Sequence, residues 1–130
     1  MTISGVEMEA ALGALGAKLK TEGVRTKLWL VGGAVMVLSH QSRVATGDID
    51  AVAQPAEAVF AAARDVGIER GLPSEWLNDH AKVYLPLAVE PMWRPIRTYG
   101  NLEVFAADPR MMLAMKLRAL RGRRHRRVTL

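Results

Sequence analysis

The chain has no cysteine among its 130 residues. That excludes disulfide staples, cysteine-ligated zinc and thiol chemistry. It also lacks a long apolar run. The longest, Leu28 to Leu38, contains two glycines and is too short to span a bilayer. The N-terminus lacks the charge order of a secretory signal, because Glu7 and Glu9 precede any lysine. The expectation is a soluble, cytoplasmic protein with no membrane partner. His40, His80 and His125 lack the spacing of zinc ligands. No P-loop pattern occurs, and Ser4, Ser39, Ser42 and Ser74 lack the context of a nucleophile elbow.

Acid is missing from one region only. The last 15 residues hold seven Lys+Arg and no Asp or Glu, whereas residues 1–115 hold 11 Lys+Arg against all 13 acids. The formal charge of +5 therefore describes a slightly acidic body joined to a basic end. Half of the residues are apolar, enough for one modest core, and the length suits one domain. The basic end reads either as a phosphate-binding segment or as a solvated tail.

Local signals give a mixed α/β order. Ser4 and Glu7 have capping-box spacing for a helix that Gly23 can end. Lys27 to Val31 reads as a strand broken by Gly32-Gly33, and Ala34 to His40 as a short apolar helix. Gln41 to Gly47 reads as a loop, and Asp48 to Ala53 as a strand with one polar face. Pro55 suits the first turn of a helix ending at Gly67. Pro73 and Ser74 can start a short helix through Leu77. Val89 to Arg94, followed by Pro95, reads as loop. Ile96 to Thr98 and Leu102 to Ala106 flank a Tyr99-Gly100-Asn101 turn. Asp108 and Pro109 open a last helix whose Met111, Met112, Met115 and Ala119 share one face and read as core. Trp76 and Trp93 read as core or lid residues.

Leu28 to Val52, LWLVGGAVMVLSHQSRVATGDIDAV, concentrates the chemistry. Gly32-Gly33, between a strand and a helix, lets a ligand approach the backbone and offers free N–H groups to an anion. Asp48 and Asp50 lie two apart on a strand and so point to one face, about 6.6 Å apart at Cα. Such a pair can hold Mg²⁺ for phosphoryl or nucleotidyl transfer. Ile49 between them points into the core.

With these features, the chain resembles the nucleotidyltransferase superfamily of DNA polymerase β fold. Within it, the resemblance is to the AbiEii/MenT-like enzymes of prokaryotic toxin–antitoxin systems. The matching segments are LWLVGGAVMVLSH, TGDIDAV, GLPSEWLND and ADPRMMLAMKLRAL, spread from Leu28 to Leu120. The resemblance implies an α+β nucleotidyltransferase fold, a short mixed sheet flanked by helices. It would occupy residues 1–120, with 121–130 as a basic C-terminal tail. It implies Mg²⁺ as cofactor and transfer of a nucleoside monophosphate from an NTP to a tRNA 3′ end or a protein hydroxyl. A toxin role with a cognate antitoxin as partner follows from the same likeness. Gly32 and Gly33 would receive the triphosphate, although many relatives have serine at the second place. Asp48 and Asp50 would be metal ligands and catalytic residues, and Lys116 would contact the nucleotide phosphates. Arg43 and Thr46 would lie close enough to touch nucleotide or substrate. Asn78, Asp79 and Lys82 fall in or just after a matching segment and receive no role beyond a loop beside the site.

One segment departs from the family. Relatives follow the lysine helix with a KDxxD-like acid, where this chain runs Leu120-Arg121-Gly122-Arg123-Arg124-His125-Arg126-Arg127. Glu103 is a candidate substitute third metal ligand; the alternative is an exposed strand glutamate. The departure leaves two other readings open. One is a catalytically inactive binding module of the same fold, and the other is a nucleotidyltransferase acting on small molecules such as antibiotics.

Overall fold

The structure, a computed structural model, describes residues 2–38, 45–84 and 93–128. Arg43, His40, Ser39 and Ser42 lie outside the described residues.

Ser4 and Glu7 close a reciprocal capping box, each side chain accepting the other's backbone N–H at 3.2 Å. From this cap runs helix α1 (Gly5–Thr21), which buries Met8, Leu12, Leu15 and Leu19. Just before it, β1 (Ile3–Ser4) pairs with β3 (Ala45–Thr46) in a small antiparallel ribbon. The main sheet is built from β2 (Thr26–Val31), β4 (Ile49–Gln54), β5 (Leu77–Asn78), β6 (Trp93–Tyr99) and β7 (Leu102–Ala107). Its order is β5-β4-β2-β7-β6. β2 runs antiparallel to β4 and parallel to β7, so the sheet is mixed, as expected. Helices α2 (Gly33–Leu38), α3 (Ala56–Arg70) and α4 (Pro109–Val128) complete the chain.

The two faces of the sheet are covered unequally. Leu28, Leu30, Ile49, Ala51, Leu102, Val104 and Ala106 alternate onto one face and are buried under α1 and α3. Each large aliphatic chain fully buried there contributes about 1.5–3 kcal/mol. The opposite face carries Lys27, Trp29, Asp50, Val52, Glu103 and Phe105, none of them fully buried. Trp29 stacks on Phe105 at 5.8 Å between ring centroids, and Lys27 Nζ stands 6.0 Å from the Phe105 ring. Helix α4 covers this face only at one end, where Met111 and Met115 bury Val31 and Ala107, with Trp93 and Ala81 packed alongside. The methionine stripe is therefore core at Met111 and Met115, and Trp76 and Trp93 pack rather than stack on a ligand.

Several local expectations change. Gly67 does not stop α3; Gly71 does, in a left-handed conformation with φ +67°. Gly67 serves packing instead, since a Cβ there would sit 2.8 Å from the Trp76 ring. Pro55 is the residue before α3 rather than in its first turn. Pro73-Ser74 opens no helix: Trp76 anchors its indole N–H on Ala63 O at 2.8 Å, and Leu77-Asn78 then pairs with β4. Strand β6 begins at Trp93, in the region expected as loop. Its Pro95 is accommodated on an edge strand beside a bulge, where a missing N–H costs no ladder bond. The hairpin turns on Gly100, φ +55°. There α1 presses so closely that a Cβ on Gly16 would lie 1.9 Å from Tyr99 O, and Gly16 O accepts from Asn101 N at 3.4 Å. Asp108 caps α4 through the Arg110 N–H at 2.7 Å. That helix runs unbroken across residue 120, so the basic segment expected as a separate tail is helical to Val128.

Candidate active site

The register of three strands gathers the predicted residues at one end of the sheet. Val31 stands opposite Asp50 on β4, and Asp50 in turn is in register with Asn78 on β5. The chain leaves β2 through Gly32, whose φ of +69° only glycine adopts readily. A Cβ at Gly32 would lie 3.7 Å from Asp50 Oδ2, so the bare backbone of this turn sits directly beside the carboxylate. Gly33 opens α2.

Asp48 precedes β4 in a turn held by Thr46, whose buried hydroxyl donates to Asp48 O at 3.1 Å. Thr46 thus shapes the aspartate turn by committing its hydroxyl proton to the backbone. Asp48 Oδ2 accepts from Asn78 Nδ2 at 3.1 Å. Burial pushes the Asp50 carboxyl above the usual aspartate range, the Asp48 charge raises it further, and His80 opposes both. The two acids are therefore near enough to repel, as ligands of a shared cation must be.

Lys116 shares a cavity with Gly32. A hollow of about 420 Å³ is lined by Gly32, Val31 and Met36 on one side and by Ala81 below. Helix α4 supplies the other wall through Met112, Lys116 and Ala119, at helical spacings of four and three. Lys116 thus faces the Gly32 turn across the cavity, and Gly32 in turn lies beside Asp50. Lys116 itself is exposed, with Met112, Met115 and Ala119 beside it on the cavity wall.

Glu103 does not join them. It faces the same side of the sheet as Asp50 but is paired with Lys27, at the other end of β2. Ala106 pairs with Leu30 and so Ala107 is level with Val31, four residues from Glu103, about 13 Å along the strand. Glu103 is a partly exposed strand glutamate, and the expectation that it replaces the third carboxylate is withdrawn. Among the described residues no group of three His, Cys, Asp or Glu is placed to hold a metal.

Asn78 is the site residue that sequence reasoning left without a role. It is 5% exposed, and its only signal was a polar residue following the apolar pair Trp76-Leu77. Beside it, His80 Nε2 lies 3.5 Å from Glu75 Oε1, and Lys82 pairs with Asp79 at 3.0 Å. Asn78, Glu75, Asp79 and His80 border a second, more polar hollow of about 490 Å³ that Arg64 and Ser74 also line.

Among the described residues no helix is long and apolar enough to cross a membrane. Comparison with protein-family models, with curated proteins and with solved structures returns no match for this chain.

Proposed function

We propose that the chain is a Mg²⁺-dependent nucleotidyltransferase of the DNA polymerase β type, resembling the AbiEii/MenT-like toxins. It would move a nucleoside monophosphate from an NTP to an acceptor hydroxyl. The observation that carries this reading is that Asp50, with Asp48 beside it, stands against the Gly32 turn at one end of the sheet, and that Gly32 shares a cavity with Lys116. The donor set fits a hard divalent cation: two carboxylates that repel each other and no cysteine. Mg²⁺ held by Asp48 and Asp50 would supply neutralisation of the phosphate oxygens and of the departing pyrophosphate.

The remaining work falls to the chain itself. Gly32 leaves space for a phosphate to approach the backbone without meeting a side chain. Lys116 places a positive charge where the triphosphate would lie. In the reaction the acceptor oxygen bonds to the α-phosphorus, the bond to pyrophosphate breaks, and the hydroxyl proton leaves to a base. Catalysis of this kind is mainly positioning and charge stabilisation.

An RNA acceptor such as a tRNA 3′ end is favoured over a protein hydroxyl. Helix α4 carries Lys116 at the cavity and continues into the basic segment, whose sequence charge suits phosphates. A toxin role and an antitoxin partner rest on the resemblance alone. A second reading, a binding module without transferase activity, is favoured by the position of Glu103 and the absence of a third acid among the described residues.

The test is transfer of label from each α-labelled NTP, with Mg²⁺, to total tRNA, to protein or to an aminoglycoside. Transfer by the wild type that is lost in Asp48→Asn and Asp50→Asn supports the enzyme. Nucleotide binding with no transfer to any acceptor supports the second reading.

A further inference from the structure

We propose that Asn78 is the positioning residue of the acidic pair, holding the Asp48 carboxylate in the orientation that receives the cation. This inference rests on the metal-binding reading above. Its own basis is the hydrogen bonding of one buried amide. Asn78 Nδ2 donates to Asp48 Oδ2 and to Glu75 O, each at 3.1 Å, and Oδ1 accepts from the His80 N–H at 3.1 Å. Both N–H groups and one oxygen lone pair are thus used. Turning the amide over would set its oxygen against a carboxylate and a carbonyl, and its nitrogen against an N–H, so a single orientation survives.

The consequence falls on Asp48. That residue lies just outside β4, where no strand ladder restrains its side chain. The bond to Oδ2 fixes the rotation of the carboxylate and leaves Oδ1 as the free oxygen for a ligand. Asn78 itself is fixed from three sides: strand pairing with Asp50, the Glu75 carbonyl, and the backbone anchored when Trp76 bonds Ala63 on α3. A neutral amide also suits the position physically. A lysine or arginine there would orient Asp48 equally well but cancel its charge, and the site would lose affinity for a cation. An amide orients without neutralising. Partners of this kind, one bond removed from the metal, usually alter metal affinity by about 10–100-fold when lost.

The test measures Mn²⁺ binding by the loss of its free-ion magnetic resonance signal, with the full chain. Four proteins are compared: wild type, Asn78→Ala, Asp48→Asn and the double variant. The expected result is about tenfold or more weaker Mn²⁺ binding in Asn78→Ala, and no further loss when Asn78→Ala is added to Asp48→Asn. In transfer assays the Mg²⁺ needed for half-maximal rate rises, while the NTP KM at saturating Mg²⁺ is unchanged. Thermal melts check folding, and Asn78→Ser replaces Asn78→Ala if the latter does not fold. Equal Mn²⁺ binding by wild type and variant overturns the inference while leaving the metal reading intact. So does an equal loss in both backgrounds, because it marks a general packing role. No Mn²⁺ binding by the wild type overturns the metal reading and this inference together.

Discussion

The two faces of the central sheet are made by alternate residues of the same strands, yet they serve different ends. Ile49 goes to the closed face and is fully buried; Asp50, the next residue, goes to the other and stays partly exposed. On the closed face α1 and α3 bury the aliphatic side chains of the strands. On the open face α4 covers one end only, and the acids stand beside that cover. Strand alternation thus separates stability from the proposed chemistry by a single residue. A register slip of one position in β4 would bury the carboxylate and expose the isoleucine.

The largest expected effect tests the open face. Asp48→Asn or Asp50→Asn should cut nucleotidyl transfer by roughly 10³-fold or more without lowering the thermal midpoint. Ile49→Ala, between them, should do the reverse. It should cost about 2–5 kcal/mol in denaturant unfolding while the folded fraction keeps its specific activity. If Ile49→Ala instead abolishes transfer in fully folded protein, the separation of the faces fails. Lys116→Ala should raise the NTP KM by roughly tenfold, equivalent to about 1.4 kcal/mol, with a midpoint near wild type.

A subtler effect concerns the resting charge of the site. The Asp50 carboxyl is held above the usual aspartate range by burial and by Asp48. Between the unfolded value, about 3.9, and the raised folded value, the native state binds more protons than the unfolded chain. Stability therefore falls as the pH rises through that window, and the ionised acid is a net cost at neutral pH. Asp50→Asn should melt above wild type at pH 7 in chelator, and the two should converge below about pH 4. Saturating Mg²⁺ should erase or reverse the advantage, because a bound cation favours the carboxylate. The smallest effect is expected at Glu103. On the same open face but at the far end, Glu103→Gln should leave transfer within about twofold of wild type.

What the sequence made legible was local. The capping box of Ser4 and Glu7, the Asp108-Pro109 helix start and the turn at Gly100 are short-range patterns, and each is where it was expected. Asp48, Asp50 and Gly32 could be named because their residue types and spacing carry chemistry, whereas Lys116 was named only through the family resemblance. What stayed hidden depended on packing between distant segments. Gly67 looked like a helix stop, but it is needed inside α3 for the Trp76 ring. Glu103 could not be excluded until strand register put it opposite Lys27. Asn78 acquires meaning only once β5 lies beside β4, a pairing of two residues that no periodicity reveals. The reach of α4 past residue 120 was masked by the change in charge there.

The close approach of Gly16 and Gly100 also sets a schedule for synthesis. The helix that forms from residues 5–21 rests its backbone against a turn that lies 84 positions later in the chain. At about 5–20 residues per second, a ribosome needs roughly 4–17 s to deliver that turn. Through that interval the leucines of α1 have neither β7 nor the hairpin to pack against. A nascent chain of this protein therefore spends seconds with the α1 packing face incompletely covered, and its native core closes only once the β6–β7 hairpin has been made.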